Sequence, residues 1–78
     1  MNQDKLYSSK MTPVRILDDD NGVRVVFLES ARFHVLARDL PDFDSLLAIL
    51  RGAVEKGDVV EVVTESIGSD VIKNIKPT

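Results

Sequence analysis

The chain has 78 residues, a net charge of −3 and no cysteine. One small core is what such a length builds, and disulfide frameworks, thiolate metal sites and cysteine nucleophiles are excluded. A general nucleic-acid binder is disfavoured by the acidic balance.

Charge is uneven along the chain. Residues 1–38 carry six Lys/Arg against five Asp/Glu, and residues 39–78 carry four against eight. No apolar run approaches the roughly 18 residues that a membrane span needs. The opening MNQDKLYSSKMT has no apolar stretch of the secretory kind. The expected setting is the cytoplasm.

Residues 1–12 are polar without a convincing period and read as a flexible N-terminal arm, with a strand conceivable over Lys5–Ser9. A single α+β domain is expected over 13–78. Val14–Leu17 reads as its first strand. Asp18-Asp19-Asp20-Asn21-Gly22 follows, then the apolar run Val23–Leu28. Asn-Gly between two β-type runs signals a hairpin, since a type I′ turn needs positive φ at both central residues. After a turn at Ser30-Ala31, Arg32–Leu40 reads as the third strand.

Asp42–Gly57 carries the strongest signal. At 100° per residue Phe43, Leu46, Leu47, Leu50, Ala53 and Val54 share one stripe, with Ile49 at its edge. Asp42 or Asp44 is placed to cap the first turn, and Gly57 to close the last in the left-handed region. Gly52 inside the helix points either to close approach of a neighbouring backbone or to a tolerated defect. Val59–Glu65 and Val71–Lys76 complete the order β-β-β-α-β-β, with a Ser/Gly/Asp turn between them.

Two hairpins and one helix predict a small antiparallel sheet with the helix packed on one face. Over residues 13–77 that element order also resembles the OB-fold, a five-stranded barrel with its helix between strands three and four. The resemblance rests on element order and implies, as the alternative, a closed barrel that binds nucleic acid.

Strand alternation assigns faces. Turning the arginines outward gives an inner set of Val14, Ile16, Val23, Val25, Phe27, Phe33, Val35 and Ala37, joined by Val60 and Val62. The outer face then carries Arg15, Arg24, Arg32, His34 and Arg38 among Leu17, Val26, Leu28 and Leu36. Arginines beside exposed aliphatics are the make-up of a contact surface. The expected binding residues are therefore Arg15, Arg24, Val26, Leu28, Arg32, His34, Leu36 and Arg38. The expected partner is another protein or a second copy of the chain. Nucleic acid comes second, because the face lacks aromatics for base stacking.

Other chemistry finds little footing. Aligning Gly22 with the glycine of an EF-hand loop puts Leu17 and Leu28 where carboxylates are required, so the acidic run is read as a solvated turn. His34, the sole histidine, has no nucleophile paired with it in sequence, and Glu61 and Glu65 read as the solvent side of a strand. No cofactor, metal site or catalytic residue is expected. The function expected is that of a small interaction module, not an enzyme.

Overall fold

A computed structural model describes residues 6–66 and 68–78. The elements run β1 (Tyr7–Met11), β2 (Pro13–Asp19), β3 (Gly22–Phe27), β4 (Phe33–Ala37), α1 (Phe43–Lys56), β5 (Val60–Thr64) and β6 (Ile72–Pro77). The fold is α+β, as expected, with one more strand than the sequence announced. Two three-stranded antiparallel sheets, ordered β1-β5-β6 and β2-β3-β4, replace the expected single sheet. They meet where Val35 forms a parallel bridge with Val71 and its N–H donates to the Asp70 carbonyl at 2.8 Å. Among the described residues no closed barrel forms, which corrects the OB-like alternative.

The extra strand lies in the stretch read as an arm. Residues 7–11 pair with β5 from Tyr7↔Thr64 to Met11↔Val60. Their serines hide the signal, because one face of the strand is solvated and alternation is blurred. The rest of the stretch, 1–5, lies outside the described residues. Thr12 turns the chain from one sheet to the other. Its N–H and hydroxyl donate to the two oxygens of Glu29, at 2.7 and 2.8 Å, and Leu28 N–H donates to its carbonyl at 2.8 Å.

The helix spans the expected residues. Phe43, Leu46, Leu50 and Ala53 are buried against Val23, Val25, Phe27 and Leu36 of one sheet and Val60, Val62, Ile72 and Ile75 of the other. Leu47 and Ile49 pack at the margin of this core. Its burial follows from the stripe, and each large aliphatic side chain taken out of water contributes about 2 kcal/mol. Gly57 ends the helix at φ 72°, and its N–H and that of Asp58 both donate to the Ala53 carbonyl. The expected side-chain cap is absent: Asp42 makes no capping bond, and only its carbonyl enters the helix, accepting from Leu46 N–H at 2.9 Å.

The first hairpin also differs from expectation. Asp19 pairs with Gly22, so Asp20 and Asn21 form the turn, and neither takes a positive φ. Gly22 itself lies at φ 153° in β3, where a Cβ would collide with the Leu36 carbonyl oxygen. Glycine is required there by close approach of β4. Gly52 is the opposite case, since a Cβ would meet nothing within 4 Å.

Two substitutions test this contrast by urea denaturation. Gly52→Ala is expected to raise stability by about 1 kcal/mol through helix propensity alone. Gly22→Ala should lower it by about 2 kcal/mol or more, from strain and from the displaced strand.

Candidate functional site

The eight residues expected on one outer face separate into three groups. Arg15, Arg24 and Val26 do share the outer face of β2-β3-β4, where Arg15 stands opposite Val26 and Leu17 opposite Arg24. Leu28, Arg32 and Arg38 lie outside the strands. His34 and Leu36 are buried in the core side, at 5% and 0% exposure.

The last pair is a parity error with a plain cause. Val25 pairs with His34 and Val23 with Leu36, and directly paired residues share a face. Since the valines point inward, so do their partners. Arg32 and Arg38, which seemed to set the parity, stand beyond the ends of β4 and are free of its alternation. Arg38 instead donates to the Gly22 carbonyl at 3.3 Å and covers the Phe43 ring, its Cζ 5.4 Å from the centroid. On the other face, Phe33 and Val35 replace His34 and Leu36. A second correction is Val14, expected inside but exposed, because a bulge between Pro13 and Arg15 shifts the register by one residue.

The observed outer face is thus apolar with a cationic border. Phe33 is 47% exposed beside Val26 and Val35, and Val71 continues the patch across the bridge from Val35. Arg24 lies over the Phe33 ring at 5.7 Å and reaches Asp19 at 3.4 Å, so its charge is held flat against the patch.

A second feature lies on the inner side. The two sheets part near the start of β4 and leave a cleft of about 670 Å³ between β1 and residues 30–34. His34 lines it, its ring edge-on to Phe27 at 5.2 Å between centroids. Burial holds this imidazole below its ordinary value of 6.5, with the Asp70 charge opposing, so it is neutral at pH 7. Its Nδ1 is enclosed without a hydrogen-bond partner.

Arg32 ties the rim together. It donates to the Gly68 carbonyl at 3.1 Å and stands 3.2 Å from Asp70 Oδ1. That oxygen is enclosed and receives no aligned hydrogen bond, so charge attraction carries the pair. Ser69 accepts from Val71 N–H at 3.2 Å and shapes the turn beside it. The turn at Ser69 was legible in sequence, whereas Tyr7, Ser8 and Ser9 carried no site signal because they were read within an arm. Among the described residues no three His, Asp or Glu side chains gather to hold a metal ion. No helix there is long and apolar enough to cross a membrane.

No protein-family model matches the chain, and no curated protein matches it. Solved structures do. A crystal structure of pro-protein-glutaminase aligns over 94% of this chain with a TM-score of 0.82 at 22% identity. A mutant of the same pro-enzyme aligns over 95% with the same TM-score at 21% identity. The chain spans 26% of the length of those structures. At this identity the likeness shows a shared fold. It also corrects the expectation that the chain is not an enzyme, to this extent: the fold it shares is that of part of an enzyme precursor.

Two groups make stability depend on pH. The unfolded chain protonates His34 as pH falls through 6.5, while the folded ring resists until lower pH. Its stabilising effect is therefore full above 6.5 and declines below it. Glu29 is held below its ordinary 4.5 by the Thr12 backbone and hydroxyl bonds. Its effect is full above 4.5 and is lost as pH falls through the lowered value. Thermal melts across pH should show His34→Phe flattening the decline that begins near 6.5 and Glu29→Gln flattening the one below 4.5. An unchanged profile in both variants would contradict the assignment.

Proposed function

We propose that this chain is an enzyme-associated interaction domain, which lies against the body of an enzyme and meets it through the outer face of β2-β3-β4. The observation that carries this reading is the disproportion of the structural match: nearly all of this chain corresponds to about a quarter of a pro-enzyme. A fold that accounts for a quarter of a precursor has the rest of that precursor as its natural neighbour. The exposed face supplies the contact, with Phe33, Val26 and Val35 as the apolar centre and Arg15 and Arg24 as its charged border. Buried aromatic and arginine anchors are the groups that dominate such interfaces. In this reading the enzyme body acts on glutamine side chains of proteins, as the name protein-glutaminase says of the structural neighbour. The absence of cysteine suits a reducing cytoplasm as the place where the domain works.

The same exposed apolar centre favours a second copy as the other occupant, and light scattering separates the two. Mixed with the part of the protein-glutaminase precursor that remains outside the matched quarter, the domain should bind it. Phe33→Asp and Arg24→Glu, both at exposed positions, should each weaken binding about tenfold or more while leaving the melting temperature nearly unchanged. A salt-resistant dimer and no binding to the enzyme body would replace this reading with self-association. No association of either kind would overturn the face as a contact surface.

A further inference from the structure

β1 is an edge strand of its sheet. It pairs with β5 on one side, and among the described residues no backbone hydrogen bond reaches its other side. Every second residue of an edge strand aims its N–H and C=O away from the sheet, as a ready template for another chain. The cleft described above runs along this strand. Its wall takes Tyr7 and Ser9, which share a face with their partners Thr64 and Val62, and Leu6 and Ser8 between them carry it to the edge of the strand. The opposite wall is Ser30, Arg32 and His34, the alternate residues leading into β4, and the volume of about 670 Å³ is that of a ligand-binding cleft.

The chemistry of the trench is uncharged. Hydroxyl-bearing residues on both walls, Tyr7, Ser8, Ser9, Ser30, Thr64 and Ser69, alternate with the apolar Leu6, Met11 and Val62. Arg32, the one cation in the lining among the described residues, is already paired with Asp70. A charged guest group would give up hydration for no counter-charge, whereas a hydroxyl or carboxamide would find donors and acceptors on both walls.

We propose that this trench receives an extended peptide segment of a partner protein, which adds a strand to β1 and sets uncharged polar side chains among the hydroxyls. A row of unpaired backbone groups about 17 Å long is complemented by another extended backbone of the same repeat, which a compact small molecule lacks. The site is separate from the outer face, since Phe33 points outward and His34 inward from the same strand. Either surface can fail its test without the other.

The test uses the whole chain, isotope-labelled, titrated with a capped pentapeptide Val-Gln-Val-Gln-Val and followed by backbone amide NMR. The expected result is saturable shifts centred on Tyr7–Met11 and residues 30–34, with slowed hydrogen exchange in β1. Val-Glu-Val-Glu-Val should bind about tenfold more weakly, having lost hydrogen bonds and gained a desolvation cost. Two N-methylated versions of the glutamine peptide, blocking alternate amides, should differ, with one failing to bind because its blocked edge faces β1. Equal binding by both methylated peptides would overturn strand addition. So would shifts confined to the outer face, or no shift up to millimolar peptide. Glutamine amide alone reproducing the full pattern would make the cleft a small-molecule site and equally overturn the proposal.

Discussion

Close approach of two backbones at Gly22 sets the geometry on which the rest depends. With no Cβ, this residue lets the Leu36 carbonyl lie against β3, and Gly22 pairs with Ala37. Arg38 N–H donates to the Asn21 carbonyl at 2.8 Å and the Arg38 guanidinium reaches the Gly22 carbonyl, so the end of β4 is held at this point. From that anchor the ladder runs without choice: Val23↔Leu36, Val25↔His34, Val26↔Phe33. Two core side chains and one exposed aromatic are selected by a single glycine.

The two sheets are joined by few but specific links. The Val35–Val71 bridge and the Asp70 carbonyl attach the start of β6 to the free edge of β4. The Arg32–Asp70 pair and the Arg32–Gly68 bond fasten the turn before it. Thr12 and Glu29 close the other crossing. The residues that make the ion pair are largely exposed, and such a pair contributes about 0–1 kcal/mol. The cohesion between layers therefore rests on α1, whose Phe43, Leu46 and Leu50 touch a core drawn from both sheets. The sheets part where the helix does not reach, and the cleft opens there.

The helix and the inward face of β3 were legible because their patterns are local. A stripe at 3.6-residue spacing and the alternation Val23, Val25, Phe27 need no partner to be read. The face of β4 was not legible, because Arg32–Arg38 shows Arg, His and Arg at three of its four even positions and yet buries His34 and Leu36. Its parity is decided by pairing with β3 and by the length of the 28–32 connection, neither of which is a property of β4 itself. β1 was legible only as an optional strand over Lys5–Ser9 within an arm, for a related reason. A strand with serines at its centre gives no alternation, and what orders it is the valine-rich β5 beside it. The bulge after Pro13 is the third case: one extra residue moved Val14 outside while Ile16 kept its place against the core.

These failures fall where the two candidate surfaces are, and the coincidence has a physical basis. An apolar face left in contact with solvent needs an apolar residue where alternation would put a polar one, and Phe33 is that residue. A polar cleft between sheets needs a polar residue where alternation would put an apolar one, and His34 is that residue. The two are neighbours in sequence and point to opposite sides of one strand. A slip of one residue in β4 would bury Phe33, push His34 to the outside and erase both surfaces together. Gly22, by fixing the register, keeps each residue on its own side.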